Sequence, residues 1–208
     1  MVVGLVWAVV DPEAVEDPTD SLGLTVGLSL ALWSGLVWAP LRATRRKGQG
    51  SLALDFGLRM EGRDVPGGLF AGALAQVLLV PLVYLPLSRF VDTSELDEPA
   101  RELTEPARGG GLFVLAVLLV LVAPLVEELF FRGLLLQALA RRFGTGWAVV
   151  GSSLGFAAAH FQGLQFPALF VFGLGLGLLT VAIGRLGPAI WAHVGFNAVT
   201  MAVLVAQR

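Results

Sequence analysis

The sequence predicts an all-α, polytopic membrane protein, a bundle of about six transmembrane helices enclosing a polar chamber. Three observations predict it. Of 208 residues, 56% are hydrophobic and only 14% are charged, against about 25% charged in soluble domains. Apolar runs near the ~20 residues needed to cross a bilayer recur along the chain. Three charges, Glu127, Glu128 and Arg132, also sit inside a largely apolar run from Gly111 to Ala140. Each costs about 2.5–3.5 kcal/mol in lipid on insertion scales, so such groups are kept because they pair or perform chemistry.

Composition excludes several functions. A net charge of −2 leaves no basic surface for nucleic acid, and the absence of cysteine removes a disulfide framework, a thiol nucleophile and a cysteine zinc site. Met1–Val10 is apolar but too short to span and lacks a basic n-region or cleavage site. It reads as an interfacial segment or as the tail of a truncated extra span.

The elements follow in order. Asp11–Asp20 is acidic, contains Pro12 and Pro18, and reads as a loop. Leu22–Leu41 is the first span and ends in Arg42, Arg45, Arg46 and Lys47. After a polar stretch, Gly67–Leu87 is the second span, interrupted by Pro81 and Pro86, and Phe90–Arg108 is a second acidic loop. Gly111–Ala140 is a long helix, about 45 Å at 1.5 Å per residue, which exceeds the ~30 Å hydrocarbon layer and must tilt, kink or project. Trp147–Phe161 is a short apolar run. Phe166–Ile183 carries Gly173 and Gly177 at small-xxx-small packing spacing. Pro188–Ala206 is the last span, with Pro188 suited to a first helical turn. The chain divides into an N-terminal transmembrane region, 1–110, and a second transmembrane region, 111–208, that holds the buried charges.

Basic residues set the orientation. With the first span ending inside, the inner loops hold nine basic residues (Arg42, Arg45, Arg46, Lys47, Arg59, Arg63, Arg141, Arg142 and Arg185), against Arg89, Arg101, Arg108 and Arg208 outside. Both acidic loops then lie outside.

Within the long helix, Glu128 and Arg132 are four apart with the acid N-terminal, the favourable order for a helical ion pair. Glu127 is turned by about 100° and has no basic residue three or four positions away. One acid therefore reads as neutralised and the other as free. The plainer alternative, in which 112–126 is a complete span and the acids mark its watery end, must explain why Leu129-Phe130-Phe131 and Leu134-Leu135-Leu136 continue beyond them.

Only two histidines exist, and both fall in apolar segments. His160 ends Phe156-Ala157-Ala158-Ala159-His160, and His193 begins His193-Val194-Gly195-Phe196-Asn197. His193 and Asn197 share a helical face. Counting about 1.5 Å per residue from the basic ends, Glu127 and His160 lie roughly 22 and 24 Å deep, and His193 and Asn197 roughly 12 and 18 Å. Tilt brings all four within reach of one chamber. A lone histidine is usually a packing residue; two, with an intramembrane asparagine and an unpaired acid, point to chemistry. A carboxylate is a candidate general base, imidazole orients water or shuttles a proton, and an asparagine–histidine pair supplies donors to an oxyanion. Attack of water on a peptide carbonyl requires such a set. An aspartyl pair and a His-Glu-x-x-His zinc helix are absent, and neither a serine nor an aspartyl mechanism is expected.

Glu127-Glu128-x-x-x-Arg132, Phe156-x-x-x-His160 and His193-x-x-x-Asn197, in this order on successive segments, resemble the three motifs of the CAAX-protease and bacteriocin-processing family (type II CAAX prenyl endopeptidases, or Abi proteins). The resemblance covers roughly 111–200. It implies that Glu127 with His160 activates water, that His193 and Asn197 stabilise the oxyanion, and that Glu128 and Arg132 are structural. It also implies a helical membrane bundle whose chamber opens towards the cytoplasmic leaflet.

The function expected is an intramembrane endopeptidase in a cell membrane, acting without a cofactor on a peptide or membrane-protein substrate within the lipid bilayer. The alternatives are an inactive immunity or scaffold protein of the same family, a proton-coupled transporter using the same groups as a relay, and a zinc protease with Glu127, His160 and His193 as ligands.

Overall fold

The fold is taken from a computed structural model, which describes residues 18–90, 92–105 and 107–208. Met1–Val10 and most of the first acidic stretch lie outside the described residues. Eight helices and no strand occur among those described. They are α1 (Pro18–Lys47), α2 (Leu52–Asp55), α3 (Asp64–Tyr84), α4 (Glu98–Thr104), α5 (Gly109–Phe143), α6 (Thr145–Ala158), α7 (Phe166–Ile183) and α8 (Gly187–Ala206).

Five of these, α1, α3, α5, α7 and α8, are long and apolar enough to cross a membrane. The protein is a multi-pass membrane bundle. The expected sixth span differs: α6 has 14 residues, about 21 Å at 1.5 Å per residue, too short for the ~30 Å layer. Residues 159–165 follow it as turns. The first span also outruns its expected bounds, because the basic residues at 42–47 continue α1 to Lys47, favourably placed against the helix C-terminus. The second acidic loop is not wholly loop, since α4 forms within it.

Two ends are distinguished by their ties. At the basic end, the Leu186 and Gly187 N–H groups donate to the Gly57 and Arg59 carbonyls at 2.8 and 3.1 Å. There Arg185 pairs with Glu61 at 3.1 Å and with Asp64. At the opposite end, the Gln165 amide donates to the Leu96 carbonyl at 2.8 Å, Arg208 to the Ala107 carbonyl at 2.9 Å, and the Tyr84 hydroxyl to the Leu164 carbonyl. The loops thus sort into the basic and acidic groups that the charge pattern predicts.

The apolar core gathers Trp33, Val126, Phe131, Phe156, Phe172 and Leu176 from α1, α5, α6 and α7. The tightest helix pair is α3 with α8. A Cβ on Gly72 would overlap the Ala192 carbonyl, one on Gly68 would stand 2.5 Å from the Trp191 Cβ, and one on Gly195 would overlap the Leu69 carbonyl. Only glycine permits this backbone contact, which fixes the height of α8 in the bundle. Gly173 and Gly177 form the expected packing face, against Ser153, Phe156 and Val149 of α6.

Candidate active site

The site is built where α5 departs from regular helix. α5 contains two stretches of wide, π-helical turns, Leu118–Val122 and Leu129–Leu135, on either side of Ala123–Glu128; such widenings are frequent at functional sites. The first has a visible cause. The Ala123 N–H reaches back five residues to the Leu118 carbonyl, so the next position, Pro124, would serve Leu119. Proline has no N–H. The orphaned Leu119 carbonyl is filled instead by the Asn197 side-chain amide at 2.8 Å. This bond joins the bend in α5 to the face of α8 that carries His193.

The second motif pair is wholly buried. Arg132 Nη1 donates to Glu128 Oε1 at 2.9 Å, and both side chains have 0% exposure. Arg132 Nη2 donates to the Gly173 carbonyl at 3.1 Å, and its guanidinium lies 4.3 Å over the Phe156 ring. A Cβ on Gly173 would come within 3.2 Å of Nη2, so that glycine makes room for the cation as well as for α6. Phe156 also meets both imidazoles edge to face, His160 at 4.7 Å and His193 at 5.5 Å between centroids. One ring positions three polar groups.

Glu128 is not simply neutralised by Arg132. Its Oε1 also accepts from His193 Nδ1 at 3.0 Å, a contact that sequence spacing within one helix could not reveal. Nor is Glu127 isolated. Its Oε2 stands 4.0 Å from the Nε2 atoms of both His160 and His193, and it is 3% exposed. Four ångströms is too long for a direct hydrogen bond and suits a bridging water.

His160 lies in the turn after α6. Its backbone N–H donates to Ala157, three residues back, which leaves the Phe156 carbonyl for the imidazole Nδ1 at 2.8 Å. Phe161 then takes a left-handed conformation (φ 53°) to turn the chain, uncommon for a bulky residue. Since a carbonyl only accepts, Nδ1 of His160 carries the proton, and the carboxylate does the same for Nδ1 of His193. Both Nε2 atoms therefore face Glu127 as the free ends of their rings.

Glu127, His160, His193 and Asn197 all line one chamber of about 470 Å³. Its wall continues through Val80, Tyr84, Leu96, Asp97 and Gln165, which belong to the acidic end. Exposed Val77 and Val203 line its side between α3 and α8. The chamber reaches the acidic end, not the basic one on which the charge pattern places the cytoplasm, because Gly68, Gly72 and Gly195 close α3 onto α8 at the basic side.

The expectation against a serine mechanism must meet one serine motif that the sequence does contain. Gly151-Ser152-Ser153-Leu154-Gly155 spells Gly-x-Ser-x-Gly, but it lies inside α6 with no preceding strand. Ser153 is buried and its hydroxyl donates to the Val149 carbonyl at 2.7 Å.

Residues 109–199 match the type II CAAX prenyl endopeptidase Rce1-like family. That Rce1-like segment contains all three motifs and the four chamber residues. Comparisons with curated proteins and with solved structures return no match. The family is one of CAAX endopeptidases, so the match supports a membrane protease that acts on peptide substrates.

Proposed function

We propose that the protein is an intramembrane endopeptidase in which Glu127 and His160 activate a water and His193 with Asn197 stabilises the oxyanion. The observation that carries this reading is the placement of Glu127 Oε2 at 4.0 Å from two imidazole Nε2 atoms on a chamber wall. A water in that gap loses a proton to Glu127 as its oxygen attacks the peptide carbonyl carbon. The tetrahedral intermediate collapses, the C–N bond breaks, and the proton on Glu127 passes to the leaving amine, directly or through His160.

The four groups Glu127, Glu128, Arg132 and His193 are at most 3% exposed. Donation to the oxyanion from Nε2 requires His193 to carry a proton on both ring nitrogens, with Glu128 accepting from Nδ1. Glu128 then supports the imidazolium through Nδ1, a positioning role beyond its pairing with Arg132. Asn197 spends one amide hydrogen on Leu119 and retains the second for the oxyanion.

Zinc is the alternative reading for the same three side chains. Their types suit it, and an anchored Nδ1 is what metal-bound imidazoles show. Their spacing does not. Ligands at 2.0–2.1 Å in a tetrahedron stand about 3.3 Å apart, and among the described residues no three of His, Asp and Glu form a metal-sized group. The metal-free reading fits the distances better.

With the basic loops inside, the mouth of the chamber faces the non-cytoplasmic side, and a peptide or membrane-protein segment enters there or laterally past Val77 and Val203. Glu127→Gln tests the assignment. Proteolysis should fall by at least ~10²-fold while the folded amount in membranes stays unchanged; wild-type rates in that variant would refute it.

A further inference from the structure

A second cavity, of about 620 Å³, lies at the basic end between the C-terminal turns of α1 and α5, and no residue lines both it and the chamber. Arg42, Arg46 and Lys47 from α1 and Arg141 from α5 line it, together with Trp38, Phe56 and Leu134. The polar and apolar linings are graded along the membrane normal. Trp38 lies nine residues before Lys47, about 14 Å deeper at 1.5 Å per residue. The cavity is therefore basic towards water and apolar towards lipid.

Its cations are uncompensated. Arg63, Arg101 and Arg185 each hold a carboxylate, but among the described residues none of Arg42, Arg46, Lys47 and Arg141 does. Asp55 is the only acid in the lining, and its carboxylate is occupied by the Thr44 hydroxyl and the Gln49 and Ser51 N–H groups. Topology and the helix dipole account for Arg46, Lys47 and Arg141, which sit in last turns. Arg42 shares the topological role but lies outside the last turn that the dipole favours. It lies more than one turn inside α1, and its guanidinium stands 5.1 Å from the Trp38 ring. A cation held at that depth beside an exposed tryptophan is placed for a ligand whose charge sits at the headgroup level.

We propose that this cavity binds the phosphodiester headgroup of an anionic phospholipid in the basic-side leaflet. Arg42 and Arg141 approach the phosphate from the two helices, and Trp38, Phe56 and Leu134 receive the first part of the acyl chains. Arginine suits the phosphate because its planar fork donates twice, and basic pockets between membrane helices on the cytoplasmic side are the expected place for acidic lipids. Free phosphate shares the charge but has no use for the apolar floor.

The full chain, purified in neutral detergent and stripped of lipid, is titrated with phosphatidylglycerol, phosphatidylcholine and inorganic phosphate, reading thermal stability and lipid retained in native mass spectra. Phosphatidylglycerol should stabilise the protein; the other two should not. Affinity should fall at least about tenfold in Arg42→Gln/Arg141→Gln, since each substitution removes a charge-assisted hydrogen bond to the phosphate. It should stay within about twofold in Arg45→Gln/Arg142→Gln, which removes the same charge from the same helix ends outside the cavity. Equal loss in both pairs would overturn the proposal in favour of diffuse surface charge. Equal stabilisation by phosphatidylcholine, or saturation by inorganic phosphate, would overturn the acidic-lipid assignment. If the double variant does not accumulate, Arg42→Gln against Arg45→Gln makes the same comparison.

Discussion

Glu128 and His193, sixty-five residues apart, are joined by a 3.0 Å hydrogen bond between buried side chains. The same carboxylate oxygen holds Arg132 at 2.9 Å. One atom thus links the structural ion pair of α5 to the imidazole of α8, and stability and turnover become separable at this point.

Glu128→Gln and Arg132→Leu should each destabilise the fold by about 3–5 kcal/mol, because each leaves a buried partner charge unpaired. The double variant should be milder than the sum, as coupled partners require. Its melting temperature should partly recover while cleavage does not, since His193 has still lost its carboxylate. Strict additivity in thermal aggregation assays would show that the pair is not coupled.

Prolonged exposure to a tight zinc chelator should leave proteolysis intact, and elemental analysis should find no stoichiometric zinc. Activity lost on chelation and regained with zinc would replace the water bridge by the metal reading, with the same three side chains as ligands.

Cysteine labelling tests which way the bundle faces, and the absence of native cysteine makes the background clean. A cysteine at exposed Gln49 should be shielded from an impermeant reagent in intact cells, and one at exposed Glu98 should react. Thr104, on the same short helix, is 2% exposed and unsuitable. The reverse pattern would put the chamber mouth on the cytoplasmic face.

Gly72→Ala should cost about 1–3 kcal/mol by overpacking, because its methyl group meets the Ala192 carbonyl. Gly67→Ala, with open space around the new carbon, should be neutral or slightly stabilising. Circular dichroism or detergent thermostability separates the two. Activity should follow Gly72, since α8 carries His193.

The three motifs were legible because each places residues four apart on one helical face, where geometry is fixed before any tertiary structure exists. That is why the 2.9 Å Glu128–Arg132 pair appears where spacing placed it. Apolar length likewise announced six spans, five of which are helices long enough to cross a membrane. The contacts that complete the site cross between helices and leave no local trace: Glu128 to His193, Arg132 to the Gly173 carbonyl, Asn197 to Leu119. The direction of the chamber was hidden for the same reason. Gly68 and Gly72 do form a small-xxx-small pair in the sequence, a signal as readable as Gly173 and Gly177, and they close the side on which the opening was expected.

The missing N–H of Pro124 has a consequence for tolerance. A carbonyl stranded in an apolar interior costs about 1–3 kcal/mol, and only one amide, on a different helix, relieves it. If α8 slid by a single residue or rotated by one position, Asn197 would leave Leu119 and that cost would return at once. The last helix is therefore indexed to the bend in α5 as a key is to a lock's pin, so His193 keeps its register by hydrogen-bond geometry as well as by shape.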